Sequence, residues 1–218
     1  MADSPLLDPT FLFRFEVAVR RHPLEWSKTG LALPESCRLP SFGALAGRPL
    51  YAEVRMAWDT SGIGVWMRAS GKRQLPWCRQ GRAEESDGLH LWIDTRNSPQ
   101  IHRANRFCHR FVLMPIGGGV RRDAPYAAML PIHRARQSPN PVREGVLRVL
   151  GKTTQDGYEM SGILPAAALT GFDPAEYPQI SLWYAVVDRE RGWQTFSVGE
   201  EFPVAEDPSL WGTARLVG

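Results

Sequence analysis

The chain has 218 residues, 43% of them hydrophobic and 22% charged, with a formal net charge of +3. It is long enough for one large β domain or two small ones and apolar enough to bury a full core. Its small, dispersed positive excess argues against nucleic acid as a partner.

The 18 prolines and 20 glycines favour sheet with many turns over long helices. Phe11 to Arg20 reads as the first strand, with Phe11, Phe13, Phe15, Val17 and Val19 on one face. A loop-rich segment follows to about Pro49, anchored by Leu31, Leu33 and Leu39. Tyr51 to Trp58 and Ile63 to Ser70 form a hairpin across Asp59-Thr60-Ser61-Gly62. The polar loop from Gly71 to Asp87 carries Trp77 and Cys78. Strand 89–95 comes next, then a short segment with helical character, Pro99 to Asn105, and a strand from Phe107 to Pro115. Residues 116–145 read as a long irregular loop containing Gly117-Gly118-Gly119, and loops of that length in a compact domain are usually functional or disordered. Val146 to Lys152 and Tyr158 to Leu164 make a second hairpin, and Pro165 to Leu169 a single helical turn. Ile180 to Asp188 is a strong strand, Thr195 to Val198 a short one, and the tail runs through Trp211-Gly212. No repeat or linker divides the chain, so residues 1–218 are expected to form a single domain. Short alternating strands with turn-rich connections point to an all-β, antiparallel β-sandwich with long loops and little helix, immunoglobulin- or jelly-roll-like.

No apolar run is long enough to span a bilayer, so no membrane partner is expected. Met1 to Pro5 lacks the pattern of a signal peptide. Cys37, Cys78 and Cys108 are too few and too scattered for a disulfide framework, and a cytoplasmic location is the expectation.

The stretch Asp87-Gly88-Leu89-His90-Leu91-Trp92-Ile93-Asp94-Thr95-Arg96 says most about function. Side chains alternate along a strand, so Leu89, Leu91 and Ile93 share a core face while His90, Trp92 and Asp94 share the other. By the same reasoning Trp66 and Arg68 lie opposite Ile63, Val65 and Met67, and Trp183 lies opposite Leu182, Tyr184 and Val186. If these strands share a sheet, Trp66, Trp92 and Trp183 would stack on a polar ring along one concave face. Arg68, His90, Asp94 and His109 would then hydrogen-bond its hydroxyls. The competing reading has that face covered by the 116–145 loop, with the tryptophans as ordinary core.

Four signals resemble the family 9 carbohydrate-binding modules and the wider group of DOMON-like sandwiches. Met56-Ala57-Trp58-Asp59 followed by Ile63-Gly64-Val65-Trp66-Met67 resembles their W-D hairpin. Asp87 to Arg96 is similar to their D-x-V-x-I-x-I-D-T-R strand, and Gly157-Tyr158 through Leu169 to their G-Y-x-x-E-x-x-I-P-W-x-x-L. Leu182 to Asp188 with Trp211-Gly212 resembles their closing strands. Together these cover about residues 50–217 in the family's order; Ala166 stands where the family often has tryptophan. The resemblance implies a sandwich that binds a carbohydrate or similar small polar ligand without catalysis.

Other chemistries have thinner support. Zinc-compatible residues His102, Cys108, His109 and His133 match no compact zinc spacing, and Cys108 and His109 would point to opposite faces of a strand. Asp94 with Glu84, Glu85 and Asp87 would be the carboxylates for calcium, as in related modules, but no DxDxDG-type loop is present. No other cofactor is expected. DOMON relatives bind haem through Met and His; Met67, Met114, Met129 and His133 exist, but no pattern selects a pair. Arg103, Arg106 and Arg110 suit an acidic sugar or phosphate. There is no G-x-S-x-G, H-E-x-x-H or P-loop, so no enzyme is expected; Asp94 and Asp188 are the only acids to nominate for a glycosidase. The alternatives are a structural or protein-interaction domain with a filled second face, docking through 116–145, and a haem- or metal-binding domain of the DOMON kind. Oligomeric state is not legible.

Overall fold

The computed structural model describes Phe11 and residues 13–218; Met1 to Pro5 and Leu12, on which the leader and first-strand expectations partly rest, lie outside the described residues. Among the described residues thirteen strands follow in chain order: β1 (Glu16–Arg21), β2 (Trp26–Ser27), β3 (Gly30–Leu31), β4 (Ala52–Asp59), β5 (Gly62–Ala69), β6 (Gly88–Asp94), β7 (Cys108–Gly118), β8 (Ala124–Leu130), β9 (Arg148–Thr154), β10 (Gly157–Pro165), β11 (Gln179–Asp188), β12 (Gly192–Thr195) and β13 (Gly212–Val217). Both expected hairpins form, β4–β5 from Ala52↔Ala69 to Asp59↔Gly62, and β9–β10 closing at Thr154↔Gly157. The helical turn after β10 is a 3-10 turn at Ala166–Ala168. Residues 99–105 form turns rather than helix.

Eleven strands make one sheet in the order β8-β7-β6-β11-β13-β1-β4-β5-β10-β9, with β12 paired to β11. Pairing is antiparallel except at β1, which lies parallel between β13 and β4. The sheet curls until its ends meet: β9 approaches both β8 and β7. At that seam a Cβ on Gly151 would sit 2.5 Å from the Pro115 carbonyl oxygen, so the backbones touch because residue 151 has no side chain. The fold is thus an all-β sandwich whose two layers belong to one curled sheet.

Face assignment follows from register. Leu89, Leu91 and Ile93 pair with Leu113, Phe111 and His109 on one side and with Val186, Tyr184 and Leu182 on the other. With Val54, Met56, Ile63, Val65 and Met67 they fill the inner, concave face and are buried. Burying each such side chain contributes about 1.5–3 kcal/mol.

Two segments depart from the sequence reading. The 116–145 stretch contains β8, which adds an edge strand to the sheet beside β7. Its alanine-rich sequence, Ala124-Pro125-Tyr126-Ala127-Ala128-Met129-Leu130, has weak strand propensity, so pairing to β7 rather than local preference decides it. The tail forms β13, pairing with both β11 and β1.

Candidate functional site

The strands bearing the expected site residues do share one sheet, and Trp66, Arg68, His90, Trp92, Asp94 and Trp183 lie on one of its faces. Register shows this: Trp92↔Trp183, Asp94↔Ser181, Ser181↔Thr213, Thr213↔Glu16 and, beyond β1, Arg55↔Trp66. That face is the outer, convex one, because the curl turns the aliphatic face inward. His109 is a correction. It pairs with Ile93 and so lies on the inner face, while Arg110, opposite Trp92, occupies the row with His90.

Trp92 and Trp183 are 1% and 0% exposed and meet edge to face, ring centroids 4.7 Å apart. Each indole N–H donates to a backbone carbonyl of one covering segment, Trp92 to Ala205 (3.3 Å) and Trp183 to Val198 (3.2 Å), and within that segment Trp211 donates to Val204 (2.7 Å). Their face is therefore sealed by the 196–211 segment, where the 116–145 loop had been the expected cover. Asp94 is closed within its own turn, its carboxylate accepting from the N–H groups of Arg96 (2.9 Å) and Ser98 (2.7 Å). His90 and His109 are fully buried, and burial pulls both imidazoles down to about 4. The Thr170 N–H donates to His109 Nε2 at 2.8 Å, which leaves that nitrogen no room for a proton. Trp66 is half-buried beneath the Arg55 guanidinium, 4.5 Å from its ring, and donates to Glu159 at 3.3 Å. Arg68 is exposed, 3.7 Å from Asp156, and lines a shallow cleft of about 390 Å³ with Tyr51, Glu53 and Gln194.

The acids proposed for calcium are dispersed. Glu84 pairs with Arg110 and Glu85 with Arg82, while Asp94 stays in its turn. Asp87 joins a different group: the buried Lys72 ammonium lies 2.5 Å from Asp188, 3.7 Å from Asp87 and 3.8 Å from Glu190. Among the described residues no His/Cys/Asp/Glu group is arranged to hold a metal. Of the residues considered for haem, Met67 lies in the main core, Met114 beneath the 80–85 turn, and His133 at the surface beside Glu84.

A further aromatic-lined cleft lies outside the residues singled out in the sequence. About 660 Å³ in volume, it is lined by Trp77, Arg79, Gln80, Gly81, Arg82, Gly117, Gly119 and Arg122. The 71–87 loop and the β7–β8 turn build it. Asp87 is its keystone: one carboxylate oxygen accepts from the Trp77 N–H (2.8 Å), the other from the Arg189 N–H (2.8 Å), and its own N–H donates to the Trp77 carbonyl (2.9 Å). Burial raises the Asp87 pKa, with the neighbouring N–H groups and Lys72 opposing that shift. The Arg189 guanidinium lies 4.0 Å from the Trp77 ring, those of Arg82 and Arg79 at 5.4 and 5.5 Å. The sequence signal for this site is Trp77 itself, a tryptophan in a polar loop.

With fold and site described, comparison with solved structures is informative. A family 9 carbohydrate-binding module from Caldicellulosiruptor kristjanssonii matches over 94% of this chain, at 10% identity. In complex with cellotriose its TM-score is 0.62 over 94% of its own length; with glucose, 0.63 over 96%. A putative carbohydrate-binding protein from Bacteroides uniformis matches over 94% of this chain and 100% of its own, with a TM-score of 0.55 and 11% identity. The fold is that of the family 9 carbohydrate-binding modules. No protein-family model matches the sequence, and no curated protein does. No helix among the described residues is long and apolar enough to cross a membrane.

Proposed function

We propose that this protein binds carbohydrate, without acting on it chemically, in the cleft that ends on Trp77. The observation that carries the reading is this half-buried indole, held on a loop by Asp87 at the edge of an open cleft and ringed by side chains that donate hydrogen bonds. A flat apolar ring beside fixed donors suits a pyranose. The shared fold supports the reading, since the C. kristjanssonii module was solved with cellotriose and glucose. The non-catalytic part draws support from the two nominated acids: Asp94 is tied into its turn and Asp188 to Lys72, and both are buried. Three buried, free thiols suit a reducing compartment such as the cytoplasm.

The test is intrinsic tryptophan fluorescence and melting temperature against a panel of mono- and oligosaccharides, for the wild type and Trp77→Ala. A saturable shift with a raised melting point, lost in Trp77→Ala while that variant stays folded, is the expected result. Silence across the panel from folded protein would overturn the reading in favour of a partner-binding domain. A second reading places the ligand in the Arg68 cleft, on the observation that Arg68 remains exposed there beside Tyr51 and Gln194. Binding that survives Trp77→Ala but not Arg68→Ala would select it.

A further inference from the structure

Resting on the carbohydrate reading above, we infer that the Trp77 cleft selects an acidic glycan, one bearing uronate or sulfate groups, over a neutral one. The argument is the balance of donors and charge. Arg79, Arg82 and Arg122 line the cleft, and Arg189 stacks on the same indole at 4.0 Å. Arg82 is offset by Glu85; the guanidiniums of Arg79, Arg122 and Arg189 have no carboxylate partner among the described residues. Holding so many cations around one ring costs Coulomb energy that an anion in the cleft would relieve.

Hydrogen-bond chemistry points the same way. A guanidinium offers donors and no acceptor. A sugar hydroxyl both donates and accepts, so a wall of arginines satisfies half of its capacity. A carboxylate or sulfate is acceptor-only and matches the planar guanidinium fork with two parallel bonds. The indole, its faces shared with these cations, positions the arginines as much as it offers a stacking plate.

Backbone geometry supports this. Arg122 sits at φ 58°, a left-handed conformation that glycine or asparagine adopts more readily. The turn holding it is closed by Arg122 N–H to the Gly119 carbonyl (3.2 Å) and Gly117 N–H to the Arg122 carbonyl (3.0 Å). An arginine kept at a costly position on the rim of an arginine-lined cleft fits a role for its side chain.

Calorimetry with tetragalacturonate, a sulfated chondroitin tetrasaccharide, cellotetraose and a single-stranded DNA oligonucleotide of matched charge tests the inference. The expected result is an acidic oligosaccharide bound about tenfold or more tighter than cellotetraose, the scale of one lost charge-assisted hydrogen bond, and weakened by added salt. The carboxylated and sulfated arms identify which anion is preferred. Arg122→Gln and Arg189→Gln should each weaken acidic-glycan binding about fivefold or more at unchanged melting temperature. Cellotetraose bound as tightly as the acidic sugars, with Trp77→Ala abolishing it, would leave the carbohydrate reading standing and overturn this one. DNA bound as well as the acidic glycans would also overturn it, as a general polyanion surface. If no sugar binds, both readings fall.

Discussion

Acid should unfold this protein through two histidines. His90 donates through Nε2 to the Ser86 carbonyl at 3.0 Å, while its Nδ1 is buried without a partner. His109 Nε2 accepts from Thr170. A second proton would therefore give His90 a buried N–H with no acceptor, and would set His109 N–H against the Thr170 N–H. Both folded values fall from 6.5 to about 4. A depressed histidine value means that the unfolded chain binds the proton first, so stability is intact above the unfolded value and is lost as pH falls from about 6.5 toward about 4. At about 1.4 kcal/mol per unit, each histidine removes about 3 kcal/mol by pH 4, and the pair about 6. That is a large share of the roughly 5–15 kcal/mol typical of a folded domain. Asp87 and Asp94 act in the opposite sense, because burial raises their pKa and the folded protein takes up their protons before the unfolded chain does. Their relief begins only as pH falls through those raised values. Urea midpoints measured at steps between about pH 7 and 4.5 should fall throughout, and His109→Gln should flatten the slope by about half. A constant midpoint over that range, or an imidazole seen by NMR to titrate near its ordinary value in the folded state, would refute the reasoning.

Lys72→Met should cost about 3–5 kcal/mol, since it leaves Asp188 and Asp87 buried without their cation; a loss under about 1 kcal/mol in equilibrium denaturation would mean that Lys72 does not hold them as a buried ion pair. Trp92→Ala should likewise cost about 3–5 kcal/mol by the same measurement, because the ring is interior and its N–H bonds Ala205. A small loss of stability together with loss of sugar binding would instead place Trp92 in a ligand site. Trp77→Ala, at a half-buried loop position, should do the reverse, losing binding at a smaller cost in stability than Trp92→Ala.

Local alternation made much of this fold legible. The hairpins β4–β5 and β9–β10, and the division of β6 into Leu89/Leu91/Ile93 against His90/Trp92/Asp94, follow from a period of two that any single strand displays. The family resemblance came from the same stretches. Long-range pairing was not legible. The sequence reading sets His109 in the polar row with His90, whereas alternation within its own strand and pairing to Ile93 set it with Phe111 and Leu113 on the inner face. The strands β8 and β13 owe their existence to neighbours far away in sequence, and their own residues announce them weakly.

The sequence by itself thus determined the sandwich and, within a strand such as β6, which residues share a face, because alternation is a property of the strand alone. Only the tertiary structure decided that the tryptophan face is the convex one and what covers it. The curl that brings Gly151 against Pro115 turns the aliphatic face inward, and the carbonyls of Val198 and Ala205 close over the tryptophans. The accessible aromatic cleft arises where Asp87 binds the backbones of Trp77 and Arg189, a contact spanning 102 residues between Asp87 and Arg189, and no local pattern encodes such a contact.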